Sequence, residues 1–151
     1  NRETLSLIKN KFENKNLIDL GTGGDLINLI KFLQKMEVES FIGNDKFPRK
    51  DIQHYDGLLQ NSSVNGIYVR EDMLLFLSKL PDNSTNVMIN GLDRTIISNQ
   101  EYLERLKSEI SRVLLDNGVV LGFSTNIGEF NGLKNIINDN QPVFILEKNN
   151  L

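Results

Sequence analysis

The stretch Leu17-Ile18-Asp19-Leu20-Gly21-Thr22-Gly23-Gly24-Asp25 decides how this chain folds. A short apolar run ends at a glycine-rich turn, and apolar residues then recur at helical spacing as far as Leu33. This order predicts a strand, a tight loop and a helix. Because glycine lacks a Cβ and tolerates positive φ, such a loop brings backbone N–H groups at a helix N-terminus close to a ligand. The stretch therefore predicts a turn that binds a nucleotide-like ligand.

Strands and helices alternate along the rest of the chain. Short apolar runs predict strands at 17–20, 41–45, 67–69, 86–91, 119–123 and 143–146. Helical spacing of apolar residues predicts helices at 2–10, 25–36, 52–59, 73–80, 99–115 and 130–137. Short, almost wholly apolar strands between helices favour a parallel sheet covered on both faces. We expect one doubly wound, mostly parallel α/β domain over residues 1–151, with its C-terminal strands reduced because a single strand follows 119–123.

The composition is that of an ordinary globular domain, and it excludes disulfides and several kinds of metal site. The chain has 151 residues, of which 39% are hydrophobic and 25% charged, and a net charge of −3. It has no cysteine and one histidine, His54, so disulfides, thiolate metal sites and multi-histidine metal sites are excluded. With no apolar run near the roughly 18 residues of a membrane span and no visible signal peptide, we expect a cytoplasmic protein. Because it begins at Asn1, we expect a piece of a longer or processed protein.

Acids at the ends of the first two strands narrow the class of ligand. Asp45 follows Gly24 by 21 positions, close to the spacing at which a carboxylate binds a ribose hydroxyl. The dinucleotide fingerprint fits poorly, because Leu26 stands where its third glycine would fall, and no Gly-Lys-Ser/Thr of a P-loop is present. Asp19, two residues before the first glycine, would repel a pyrophosphate. The pattern favours a cationic, ribose-bearing ligand without phosphate.

Four motifs in order resemble the class I S-adenosylmethionine-dependent methyltransferases. They are Ile18-Asp19-Leu20-Gly21-Thr22-Gly23-Gly24, Ile42-Gly43-Asn44-Asp45, Glu71-Asp72, and Leu114-Leu115-Asp116-Asn117-Gly118-Val119-Val120. The resemblance covers roughly residues 2–123. It implies the Rossmann-like methyltransferase fold, S-adenosylmethionine as cofactor and S-adenosylhomocysteine as product.

The resemblance also implies roles for particular residues. The turn from Gly21 to Gly24 would pass under the methionine part and the ribose, and Asp19 would hold the amino group directly or through water. Asp45 would bind the ribose hydroxyls, and Asp72 the adenine amino group, with Met73 packing nearby; Asp72 is equally explained as a helix N-cap. The expected cofactor-binding residues are Asp19, Gly21, Thr22, Gly23, Gly24, Asp45, Lys46, Asp72, Met73 and Asn90.

The exit of the fourth strand faces the methyl group in that family. Asn90 would orient the acceptor and Asp93 would accept its proton, while the loops at 46–66 and 92–98 would form the acceptor walls. We expect a small-molecule or protein acceptor; the acidic charge does not favour nucleic acid.

Two departures from the family pattern keep other functions open. Asp25 stands where the family has a glycine and could crowd the cofactor or cap the next helix, and Asn86 stands where the fourth strand often opens with an acid. The alternative is a methyltransferase-like binding or scaffolding module without catalysis, and an NAD-dependent oxidoreductase is a distant third.

Overall fold

Strands and helices alternate through the computed structural model, which describes residues 2–90, 92, 94–123, 130–137 and 143–149. Within these ranges the strands are β1 (Asn16–Leu20), β2 (Ser40–Asn44), β3 (Gly66–Val69), β4 (Asn86–Ile89), β5 (Val119–Phe123), β6 (Leu133–Asn135) and β7 (Val143–Lys148). The helices there are α1 (Arg2–Phe12), α2 (Leu26–Met36), α3 (Ile52–Gln60), α4 (Met73–Ser78), α5 (Arg94–Ser98) and α6 (Gln100–Val113). None of these helices has the length and apolar character needed to cross a membrane.

The strands form one sheet in the order β3-β2-β1-β4-β5-β7-β6. The first five are parallel to one another, and β7 runs antiparallel to both β5 and β6. The order reverses at β1, which pairs with β2 on one side and β4 on the other. Open α/β sheets bind ligands beyond the carboxyl ends of their strands at such a reversal. The sheet confirms the predicted doubly wound, mostly parallel α/β fold.

Each face of the sheet buries its own apolar core. Side chains alternate along a strand, so Leu17 packs on one face of the sheet and Ile18 on the other. The first core joins the sheet to α1, α2 and α3, and the second joins it to α4 and α6. Because β1 is covered on both faces, its backbone gives the loop that follows it a rigid base.

Local sequence explains where the helix after β1 begins and ends. The Asp25 side chain accepts a hydrogen bond from the backbone N–H of Asn28, which caps α2. Apolar residues at helical spacing bury one face of the helix, and Glu37 ends it in the left-handed conformation, with φ of 56°. The buried residues of α2 are Leu26, Leu29, Ile30, Leu33 and Met36. The helix N-terminus is thereby fixed against the end of β1.

The prediction of a helix at 130–137 is wrong. Gly132 has a φ of 79°, which a helix does not admit, and the three-residue strand β6 follows it. β6 pairs with β7, and the N–H of Ile136 donates to the carbonyl of Ile145 at 3.0 Å. Apolar residues at 130, 133, 136 and 137 fit a helical spacing, but pairing with β7 decides the outcome. Two strands therefore follow β5 instead of the single predicted one, and β6 is short.

The predicted loop at 92–98 is also partly wrong. The structure places the short helix α5 at Arg94–Ser98, directly before α6. The two helices are separated by Asn99, whose side chain accepts from the N–H of Tyr102 and caps α6. This pair of helices forms one side of the cleft described next.

Candidate functional site

A cleft of about 980 Å³ lies where β1 to β4 end. Its walls come from four segments that follow these strands: the turn around Gly21–Asp25, residues 45–49, Asp72 with Met73, and a group made of Asn90, Leu92, Thr95, Ile96, Asn99 and Tyr102. Since these strands are parallel, their carboxyl ends meet at one edge of the sheet. The cleft thus occupies the place that the strand order predicts for a ligand.

Hydrogen bonds to the end of β2 hold the glycine turn. The N–H groups of Gly21 and Thr22 both donate to the carbonyl oxygen of Asn44, at 2.8 and 3.1 Å. Gly21 has a φ of 77°, in the region that favours glycine. The Thr22 hydroxyl donates to the carbonyl oxygen of Asp19 at 3.0 Å, which folds the turn back over β1. These hydrogen bonds hold the turn against the ends of β1 and β2, and its glycines face the cleft.

Gly23 leaves room for the carboxylate that follows β2. A Cβ at position 23 would lie 2.8 Å from Oδ2 of Asp45, closer than side chains pack. The other oxygen of Asp45 accepts from the backbone N–H of Phe47 at 2.9 Å, so the carboxylate is held in place. Its Oδ2 remains beside the glycine turn. A carboxylate fixed there can accept from two neighbouring ribose hydroxyls.

Asp19 is the most unusual group near the cleft. Its side chain is fully buried, and neither carboxylate oxygen has a hydrogen-bond partner among the described residues. Burial raises the pKa of the Asp19 carboxyl to about 8; the nearby Thr22 hydroxyl opposes this rise and the negative charge of Asp45 adds to it. Buried polar atoms without partners are rare in proteins, and an unpartnered carboxylate is especially costly. Without a ligand the Asp19 carboxyl therefore holds a proton at neutral pH, and a cation nearby, or a water that leads to one, would favour its ionised form.

Two tyrosines and an asparagine extend this buried polar region. The rings of Tyr55 and Tyr68 are stacked with centroids 4.2 Å apart, and the Tyr55 hydroxyl has no partner among the described residues. Burial, together with the charges of Asp45 and Asp19, raises the pKa of Tyr68 above its ordinary value. The Asn44 amide donates to the carbonyl of Glu71 at 2.9 Å and so ties the end of β2 to the exit of β3. The floor behind the glycine turn is therefore polar, whereas the cores on either side are apolar.

Asp72 has two roles in the structure. Its Oδ1 accepts from the N–H groups of Leu74 and Leu75, at 3.0 and 3.3 Å, and so caps α4. Its Oδ2 accepts from the Tyr102 hydroxyl at 3.1 Å, and both residues line the cleft. The N-cap interpretation of Asp72 is therefore confirmed, and the same carboxylate also faces the ligand space.

The cleft brings together most of the residues predicted to bind the cofactor. Asp19 and Thr22 lie buried behind the turn instead of on the wall. Asn90 lines the cleft, and its N–H donates to the carbonyl of Leu20 at 3.3 Å, whereas Asp93 lies outside the described residues. The predicted residues on the wall are Gly21, Gly23, Gly24, Asp45, Lys46, Asp72, Met73 and Asn90.

The sequence did not predict that Asn99 and Tyr102, at the start of α6, line the cleft. The helix predicted at 99–115 gave Tyr102 no role in ligand binding, whereas the segments 46–66 and 92–98 were predicted to form acceptor walls. Phe47, Arg49, Leu92, Thr95 and Ile96 belong to those two segments and line the cleft, whereas Asn99 and Tyr102 line it without a predicted role in the site. The signal for Tyr102 was an aromatic residue with a polar tip at the start of a helix, which can donate a hydrogen bond while it packs.

Charge on the described lining is mixed but mainly acidic at the strand ends. Asp25, Asp45 and Asp72 contribute carboxylates, and Lys46 and Arg49 are the cations. The Lys46 ammonium lies 5.6 Å from the ring centroid of Phe47, whose side chain is 75% exposed. Acids at three strand exits and a glycine turn without a lysine suit a cationic nucleoside better than a nucleotide.

Solved structures show the same arrangement of strands and helices. A methyltransferase from Aquifex aeolicus that depends on S-adenosylmethionine matches 97% of this chain and 88% of its own, with 12% identity and a TM-score of 0.66. A provisionally assigned methyltransferase from Escherichia coli matches 99% of this chain and 86% of its own, with 14% identity and a TM-score of 0.71. A provisionally assigned methylase from Haemophilus influenzae matches 99% of this chain and 96% of its own, with 13% identity and a TM-score of 0.70.

These likenesses define the fold. The sheet order and the cleft describe a doubly wound α/β protein with a site at the strand exits. The particular fold is that of the class I S-adenosylmethionine-dependent methyltransferases, as the four motifs predicted. No family model and no curated protein sequence matches the chain.

Proposed function

We propose that this protein is a methyltransferase that uses S-adenosylmethionine as the methyl donor. The observation that carries the proposal is the set of acids at the exits of β1, β2 and β3 around a glycine turn. Asp19 is buried with no hydrogen-bond partner among the residues that the structure describes, and Gly23 leaves space that a Cβ would close against Asp45. Both features fit a cationic, ribose-bearing group in the cleft.

Each acid has a distinct part in the proposed site. Asp45 accepts from the ribose hydroxyls, because its Oδ1 is fixed by the Phe47 N–H while Oδ2 lies beside the turn. Asp72 accepts from the adenine amino group, and Met73 packs against the base. Asp19 lies behind the turn, so it acts on the cationic amino acid end through a bridging water or a small movement of the turn.

In methyl transfer the main task of the protein is to align the acceptor with the methyl group, and no covalent bond to the protein is needed. The cofactor, when bound, supplies a methyl group on a positively charged sulfur. Asn90, at the exit of β4, orients the acceptor through its side-chain amide, and Asp93 accepts a proton where the acceptor must lose one. The acceptor is a small molecule or a protein, and α5 forms part of the wall beside it.

Removing the Asp45 carboxylate tests the proposal. Asp45→Ala should weaken the binding of S-adenosylhomocysteine about tenfold to a hundredfold, because a hydrogen bond to a charged group contributes roughly 1.5–3 kcal/mol. The measurement is isothermal titration calorimetry of the wild type and the variant. Asp116→Asn is the matched control, since Asp116 is exposed on the turn before β5, at the opposite end of the parallel strands from the cleft.

The outcomes separate the two functions. Binding by the wild type and by Asp116→Asn, with weaker binding by Asp45→Ala, supports the proposed site. If millimolar S-adenosylhomocysteine gives the wild type neither heat nor a thermal shift, the scaffolding alternative replaces the proposal.

A further inference from the structure

The Asp72 carboxylate has three of its acceptor positions filled by the protein. Oδ1 accepts from two backbone N–H groups of α4, those of Leu74 and Leu75. Oδ2 accepts from the Tyr102 hydroxyl at 3.1 Å. An ionised carboxylate has about four such positions. Among the described residues, one position on Oδ2 is therefore left without a donor, on a residue that lines the cleft.

Tyr102 is itself held in place. It lies in the first turn of α6, and its N–H donates to the capping side chain of Asn99 at 3.1 Å. Burial, the charge of Asp72 and the hydrogen bond to Asp72 raise the pKa of the Tyr102 hydroxyl to about 12, so it stays protonated and donates. A fixed donor on one side of Oδ2 and the α4 N-terminus at Oδ1 set the orientation of the carboxylate.

We propose that Tyr102 is a positioning residue that makes the cleft select a purine with an amino group at position 6 over one with a carbonyl there. The inference rests on the proposed function and names a residue that sets the specificity of that site. The remaining acceptor on Asp72 matches an amino N–H and repels a carbonyl oxygen. Without the Tyr102 hydroxyl, Oδ2 is no longer held at one angle, and this discrimination weakens.

The first test compares S-adenosylhomocysteine with its 6-oxo analogue, S-inosylhomocysteine. Wild-type protein should bind the amino form at least tenfold more tightly, since a ligand that leaves a buried polar group unpaired is strongly disfavoured. Tyr102→Phe should reduce this preference about tenfold in calorimetric titrations, mainly by weakening the amino form. Asp116→Asn is again the control, because Asp116 is exposed on the turn before β5, at the edge of the sheet opposite the cleft.

A second variant replaces the hydrogen-bond acceptor at Oδ2 of Asp72 with a donor. In Asp72→Asn the amide oxygen must stay at the α4 N–H groups, where asparagine is an equally good N-cap. The amide nitrogen then takes the place of Oδ2 and donates to the Tyr102 oxygen and to the cleft. This variant should therefore prefer S-inosylhomocysteine. It keeps the proposal falsifiable if Tyr102→Phe fails to fold.

The results distinguish this inference from the proposed function. If the wild type prefers the amino form and Tyr102→Phe keeps the same preference, Tyr102 has no positioning role while the proposed function stands. An Asp72→Asn protein that still prefers the amino form also overturns the inference. Failure of the wild type to bind either compound overturns the proposed function and this inference together.

Discussion

Two residues that depart from the methyltransferase pattern have structural explanations. Asp25, in place of a glycine, caps α2 by accepting from the N–H of Asn28. Asn86, in place of an acid, donates from its amide to the carbonyl of Lys11 at 2.9 Å and accepts from the N–H of Val119 at 2.9 Å. A carboxylate could not donate to Lys11, so this site requires an amide. Asp25 thus stabilises the fold beside the cleft, and Asn86 stabilises the opposite edge of the sheet, where β4 and β5 begin.

The buried carboxyl of Asp19 predicts how the free energy of unfolding depends on pH. Because the folded pKa of about 8 lies above the ordinary 3.8, the folded protein keeps a proton that the unfolded chain releases. The contribution of Asp19 to stability is complete below pH 4 and is lost as the pH rises through 8. The free energy of unfolding of the wild type should fall relative to that of Asp19→Asn across this window, by on the order of a few kcal/mol.

Urea unfolding of both proteins at several pH values from 4 to 8 measures this difference. Aspartate and asparagine are nearly equal in size, so the comparison isolates the ionisation of the buried carboxyl. Two curves that stay parallel over the whole window would show that Asp19 is ionised in the folded protein and has a partner there.

At the scale of elements, the antiparallel pair β5 and β7 depends on one glycine. Gly122 lies opposite Phe144 in the register, and a Cβ on Gly122 would be 1.9 Å from Cζ of the ring. Gly122→Ala should lower the free energy of unfolding by about 1–3 kcal/mol, the usual cost of overpacking. Replacing Phe144 with leucine in that background should restore part of the loss, because the ring is what the new methyl group meets.

Gly57→Ala is the control for that substitution. Gly57 lies in α3, and among the described residues no atom beyond its chain neighbours and its own helix backbone comes within 4 Å of an added Cβ. Alanine there should therefore raise the stability by about 0.5–1 kcal/mol. Equal effects of the two substitutions in chemical denaturation would mean that Phe144 does not cover Gly122.

The elements that the sequence predicted are those whose own pattern decides their structure. α2 has a capping acid, a regular apolar face and a strand before it, and the strands from β1 to β5 are short apolar runs. β6 was missed because its three residues gain their structure only by pairing with β7. α5 was missed because five residues are too few to show a helical period.

At the scale of the whole molecule, the strand order explains how much of the site could be predicted. The acids after β2 and β3 and the glycine turn after β1 are adjacent only because these strands are parallel neighbours. Their positions follow from the ends of predicted strands. The position of Tyr102 does not follow from the predicted strands. Its hydroxyl reaches Asp72 across 30 positions of sequence, because α6 packs against α4.

The central claim is that the cleft at the exits of β1 to β4 holds S-adenosylmethionine, and a crystal structure with S-adenosylhomocysteine tests it most directly. We predict electron density above the turn Gly21–Gly24, with the ribose hydroxyls at Asp45 and the adenine amino group at Asp72. The nucleoside bound at another surface, or an empty cleft in crystals grown with excess ligand, would contradict the claim.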